Sequence, residues 1–129
     1  TFKSMIRDLS LDYPDFLIAS SEWFAFIPAK EYFDEPGDHA DELETSVMMH
    51  YHPELVNLDE AGDGNYKKFA SQMLNEKVAW IPRNWQNVSQ DTGIGNPKKA
   101  SAGKGKKYAE AVVAKYALLF EELVHKELY

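Results

Sequence analysis

The chain has 129 residues, enough for one domain but near the lower end for a well-buried α/β core. Apolar residues make up 44% and charged residues 27%, the balance of an ordinary globular protein. A net charge of −7 argues against a nucleic-acid binder, which needs a basic face; the absence of cysteine excludes disulfides and thiolate metal sites, so any metal must be held by His, Asp, Glu or water.

The chain opens at Thr1 inside an amphipathic helical pattern, with no initiator Met, which suggests a cut chain or a processed subunit. Phe2, Met5, Ile6 and Leu9 fall at helical spacing, and the helix should end near Tyr13-Pro14, because a residue before proline resists the α conformation. Phe16-Leu17-Ile18-Ala19 is a short continuous apolar run, which suits a strand covered on both faces. A helix followed by a buried strand suggests a parallel α/β sheet, with Ser20 to Trp23 at the edge where ligands bind. Pro28 to Phe33 reads as a short helix or turn, and Glu35-Pro36-Gly37-Asp38 as a loop.

From Asp41 to His52 the pattern Leu43, Val47, Met48, Tyr51 is helical and closes at Pro53. Asp41 is a plausible cap, while Glu42 and Glu44 favour the positive end of the helix. Residues 57 to 77 are polar and resist assignment, with Gly62 and Gly64 marking a loop. Val78-Ala79-Trp80-Ile81 is a second strand candidate, stopped by Pro82. A Gly-rich loop runs through Gly93-Ile94-Gly95-Asn96-Pro97. The last helix carries an apolar stripe of Tyr108, Val112, Tyr116, Leu119, Phe120, Leu123 and Val124, over about five turns. There is no internal repeat and no linker. No stretch approaches the ~20 apolar residues of a membrane span and no basic-then-apolar leader precedes the domain, so a cytoplasmic enzyme with no membrane partner is the default expectation.

Chemistry concentrates at His39-Ala40-Asp41-Glu42-Leu43-Glu44-Thr45-Ser46, where three acids and an imidazole arrive just after a Gly turn. A general base or metal ligand needs a polar atom held by packed neighbours, and a helix start braced by Leu43, Val47 and Met48 supplies that support. On spacing alone, such an acidic helix start serves structure more readily than function. Elsewhere the bland readings lead. His50 and His52 lie two apart on a helix and point to different faces. His125 suits a negative helix terminus. The basic run Lys98 to Lys107 reads as a solvated surface, and Gly93-Ile94-Gly95 lacks the lysine and hydroxyl of a phosphate loop. Trp80 and Trp85 read as core or interface aromatics rather than a binding platform.

Gly37-Asp38-His39-Ala40-Asp41-Glu42-Leu43-Glu44-Thr45-Ser46, continuing to Pro53-Glu54-Leu55-Val56, resembles the signature of the creatininase (creatinine amidohydrolase) family, roughly G-x-H-A-G-E-x-E-T-S followed by P-x-L-V. Gly93, Gly95-Asn96-Pro97, Ala100-Ser101 and Gly105 resemble the family's second block, G-x-x-G-D-P-x-x-A-T-x-x-x-G. Ser20 to Phe24 is similar to the segment that places an aromatic over the substrate. The resemblance implies that His39 is the catalytic residue passing a proton to the leaving nitrogen. It implies that Glu44 is a metal ligand, and that Trp23 and Asp38 are substrate-binding. It also implies two divalent metal ions, with Zn, Mn and Fe all acceptable to an oxygen and nitrogen donor set.

Two substitutions depart from the pattern. Asp41 replaces a Gly, adding a charge near the site, and Asn96 replaces an Asp, a capping exchange. A larger departure is the lack of the family's amino-terminal segment, with its Glu-x-His pair, Asp and N-G-H-G-G-N-type loop, which supplies most metal ligands. The resemblance therefore implies that residues 1–129 are the carboxy-terminal half of a single creatininase-like domain. Such a domain is a three-layer α/β/α sandwich with a mostly parallel sheet. The implied partners are an amino-terminal half as a companion chain, further copies in a homo-oligomer such as a hexamer, and a small-molecule amide. The expected activity is metal-dependent hydrolysis of a non-peptide C–N bond in a small, even cyclic, amide. The alternatives are a deformylase or peptide-trimming hydrolase on the same scaffold, and a non-catalytic α/β interaction subunit.

Overall fold

The computed structural model describes residues 2–125 and 127; Thr1, on which the expectation of a cut end rests, lies outside them. Five α-helices and three short 3-10 turns make up the regular structure of the described residues. In chain order these are α1 (Phe2–Asp12), a 3-10 turn (Ala29–Glu31), α2 (Glu42–Tyr51), a 3-10 turn (Pro53–Leu55), α3 (Gln72–Asn75), α4 (Trp85–Val88), a 3-10 turn (Pro97–Lys99) and α5 (Ala102–His125).

Helix α1 stops where Tyr13-Pro14 required. The expected strands do not form. Phe16–Ala19 and Val78–Ile81 carry no regular structure, and Phe16 is 68% and Trp80 84% exposed. A strand exists only through backbone bonds to a neighbour, and the described residues place no partner strand beside either run. Among them, β pairing is confined to two isolated bridges, His39 with Ile94 and Tyr66 with Ser89. The described residues are thus helix-rich, and the expected parallel sheet is not seen among them. The segment that resisted assignment contains α3, whose start is capped by Ser71 Oγ accepting from the Leu74 amide.

The framework is the packing of α2 on α5. Their axes can approach because Gly105 faces the α2 backbone: a Cβ there would lie 1.9 Å from the Ser46 carbonyl oxygen. Ser46 is fully buried, and its Oγ accepts from the Ser101 amide at 3.1 Å, tying the middle of α2 to the start of α5. Tyr108, one turn on from Gly105, is also fully buried. Its hydroxyl donates to the Phe24 and Ile27 carbonyls, each 3.3 Å away. Around it lie Ile27, Phe33, Leu43 and Val112. Burial raises the Tyr108 phenol pKa, with Asp41 and Tyr32 adding to the rise. The expected stripe of α5 divides along its length. Tyr108 and Val112 are core, whereas Leu119, Phe120 and Val124 are exposed.

Candidate active site

The site begins with a helix cap. Asp41 is buried in extended backbone immediately before α2; its Oδ1 accepts from the Glu44 amide at 2.9 Å and its Oδ2 from the Gly37 amide at 2.5 Å. The charge that replaces the family's Gly is therefore spent on two backbone donors, and one of the orphan amides of the first turn is satisfied. Between cap and loop, Ala40 has φ 48°, in the left-handed region that side chains disfavour. This sharp turn presents His39 across the start of α2.

The two sequence blocks meet here. The amides of Asp38 and His39 both donate to the Ile94 carbonyl, at 2.7 and 3.1 Å, and the Ile94 amide donates back to the His39 carbonyl at 2.8 Å. Close contact is possible because Gly37 and Gly95 face each other: a Cβ on Gly37 would sit 2.4 Å from the Ile94 carbonyl oxygen, and Gly95 itself has φ 127°. The loop carrying His39 is thus pinned from both sides. Asn96 caps the following 3-10 turn by accepting from the Lys98 amide, as its capping role required.

His39 and Glu44 face one another. His39 Nδ1 lies 3.5 Å from Glu44 Oε2, and the same carboxylate oxygen accepts from the Ala40 amide at 2.7 Å. Glu44 also lines a cavity of about 440 Å³, with Ala40, Met48, Val56, Asp91 and Gly95 on its walls. The other early acid of α2 has a different task. Glu42 is fully buried, and accepts from the Glu35 amide at 2.6 Å and from Lys104 Nζ. It is Glu42, not Glu44, that is neutralised by a lysine.

Asp38 does not stand free. Its two oxygens take both terminal nitrogens of Arg83, at 2.6 and 2.7 Å. The hydrogen bonds from Arg83 hold the Asp38 carboxyl below its usual pKa against the upward pull of burial, and the pairing raises that of Arg83. The Arg83 guanidinium also lies 5.7 Å from the centroid of the Trp85 ring, a cation–π distance. Trp85 meets the His39 ring at 5.2 Å with an interplanar angle of 62°. Trp23 sits elsewhere. It packs on Tyr108 and Phe24 at centroid distances of 6.1 and 6.0 Å, against the aromatic core. The indole beside His39 is Trp85, half-exposed rather than core. Nothing in the sequence links Arg83 to Asp38 across 45 positions, and neither Arg83 nor Trp85 belongs to a recognisable motif.

His50 and His52 have separate neighbours, Tyr51 and Glu54, as two-apart helical positions require. Among the described residues no group of three or more His, Asp or Glu side chains is arranged to hold a metal ion. The donors present fit a divalent ion only in part. His39 and Glu44 offer one imidazole and one carboxylate, short of the three or more protein ligands of a catalytic site.

A histidine beside a carboxylate at a helix start, next to a cavity, is an arrangement able to support acid–base chemistry. The family model described as "Creatininase: Creatinine amidohydrolase" matches residues 1–120, and the chain belongs to that family. It is similar to a crystal structure from Bacteroides fragilis NCTC 9343, named a "putative creatinine amidohydrolase", with 59% identity and a TM-score of 0.94. All of this chain is covered, and it spans 51% of the length of that one. This likeness supports an α/β fold, despite the scarcity of strand pairing among the described residues. No curated protein matched the sequence. No helix among the described residues is long and apolar enough to cross a membrane.

Proposed function

We propose that this chain is the carboxy-terminal half of a metal-dependent amidohydrolase that cleaves a non-peptide C–N bond in a small amide. The observation that carries this reading is the 3.5 Å approach of His39 to Glu44, set in a loop that the family's two sequence blocks lock together. The amino-terminal portion would complete both the metal site and the sheet of an α/β/α sandwich, as a companion chain or a continuous one. The match to about half of a longer relative and the uncovered Phe16–Ala19 and Val78–Ile81 runs support this. A homo-oligomer in the cytoplasm belongs to the same reading.

Two divalent ions, Zn, Mn or Fe, would polarise the amide carbonyl and lower the pKa of an attacking water. Glu44 is this chain's carboxylate contribution to them. The other work falls to its own side chains. Glu44 keeps the His39 proton on Nδ1, and Nε2 then accepts a proton and returns it to the departing nitrogen. Asp41 and the Ile94 backbone hold the loop against recoil.

Metal analysis of the full-length protein tests this. Near-stoichiometric Zn, Mn or Fe should fall with amide hydrolysis in Glu44→Gln, whereas His39→Gln should lose turnover and keep its metal. Metal content indifferent to Glu44→Gln removes Glu44 from the metal site. A wild-type protein devoid of metal and activity, with the amino-terminal portion present, favours a non-catalytic interaction subunit.

A further inference from the structure

We propose that Arg83 is a positioning residue for His39, acting through Asp38 on one side and Trp85 on the other. The inference rests on His39 being the proton-transfer group. Asp38 immediately precedes His39, and its carboxylate is gripped by both terminal nitrogens of Arg83. The same guanidinium lies against Trp85, whose indole meets the imidazole. Arg83 therefore closes a ring of contacts, from His39 along the backbone to Asp38, then to Arg83, Trp85 and back to the imidazole. Glu44 lies 3.5 Å from Nδ1, and Trp85 supplies a separate aromatic contact to the ring. With both contacts in place the imidazole is restrained in tilt as well as rotation.

Two features separate this from an ordinary surface ion pair. From Asn75 to Asn87 Arg83 alone is partly buried, its neighbours on either side being exposed. The segment meets the site through two side chains, Arg83 on Asp38 and Trp85 on the His39 ring, and Arg83 touches both partners. Second, a two-point grip fixes the plane of the guanidinium, which a single ammonium contact does not. Exposed pairs add about 0–1 kcal/mol to stability, so the effect of this one should fall on the geometry of His39 rather than on the fold.

The test uses the full-length protein and carbon–proton NMR of the histidine rings, with the His39 signal assigned through His39→Gln. The indole ring current displaces that signal, and Trp85→Leu defines its position without the indole. In Arg83→Gln, Arg83→Lys and Asp38→Asn the His39 signal should move toward the Trp85→Leu position. Those of His50 and His52 should stay unchanged, and the melting temperature should move only by the small amount an exposed pair contributes. Lysine should fail to rescue because it lacks the fork. In amide hydrolysis Arg83→Gln should lower kcat about tenfold or more with KM within about twofold. A His39 signal that ignores Arg83→Gln overturns the proposal, as does a displaced signal with unchanged kcat. Should the wild-type protein hydrolyse no amide, the functional reading fails on its own. The NMR comparison then decides by itself whether Arg83 holds His39.

Discussion

Replacing Gly105 with alanine should destabilise the protein even though alanine is the better helix former. In an unobstructed helix interior the exchange gains about 0.5–1 kcal/mol, because glycine loses more conformational freedom on folding. At Gly105 the new Cβ would lie 1.9 Å from the Ser46 carbonyl oxygen, 2.3 Å from its carbon and 2.8 Å from the Val47 nitrogen. These are backbone atoms of a packed helix and have no alternative rotamer. Ordinary contact requires α5 to retreat by about 1.5 Å, which unseats Tyr108 and Val112 from the core; overpacking of this kind costs about 1–3 kcal/mol. The net change is a loss of roughly 0.5–2 kcal/mol. Gly103 supplies the control, since a Cβ there meets nothing within 4 Å and Gly103→Ala should retain the propensity gain. Urea denaturation of the full-length protein, followed by far-ultraviolet circular dichroism, reads both. Opposite shifts of midpoint are expected, and shifts of the same sign and size would refute the close-packed α2–α5 interface.

Three other perturbations probe the cap, the ion pair and the uncovered surface. Asp41→Ala removes the acceptor for the Glu44 and Gly37 amides and should cost about 1–2 kcal/mol in denaturant midpoint, with Asp41→Asn losing less; equal losses would mean the carboxylate pair is unnecessary. Asp38 has a lowered folded-state pKa, so its stabilisation is complete above the ordinary aspartate value and is lost as pH falls through the folded value. An acid-dependent drop in stability below about pH 4 should therefore shrink in Asp38→Asn, by a small amount because the pair is partly exposed; an identical acid profile would exclude any contribution. Leu17 is exposed here, yet Leu17→Ser should destabilise the full-length protein by about 1.5–3 kcal/mol if the amino-terminal portion covers it, and a change within about 0.5 kcal/mol, the size for a true surface residue, would refute that cover.

What the sequence made legible was chiefly local. The Asp41 cap needs only its own side chain and the first turn of α2, and the end of α1 needs only Tyr13-Pro14; both stand where they were expected. The Asn96 cap is of the same kind. Contacts made across long separations were hidden. Asp38 finds Arg83 through the folding of a polar loop with no periodicity of its own, and Trp85 reaches His39 by the same route. Trp23 reads as a site residue from the apolar run before it and from the family resemblance; its ring packs against Phe24 and Tyr108, contacts that the local sequence does not announce. Local sequence marks Asp41 as the cap but gives Glu42 and Glu44 the same place at the positive end of the helix. The structure separates them by direction: Asp41 inward to the cap, Glu42 inward to Lys104, and Glu44 outward to His39.

That separation links the fold to the chemistry. Successive residues on a helix point about 100° apart, so one turn of α2 serves several surfaces. Leu43 and Ser46 face the core and α5, Glu42 seals the ion pair with Lys104, and Glu44 is left on the side of the cavity. A carboxylate on that side is useful only if the helix cannot rotate about its axis. The buried Ser46–Ser101 contact and the Gly105 approach prevent such a rotation, because either would be broken by a turn of a few tens of degrees. The small residues Ser46 and Gly105 thus act on the site at a distance, by fixing the direction in which Glu44, and through it the imidazole of His39, can point.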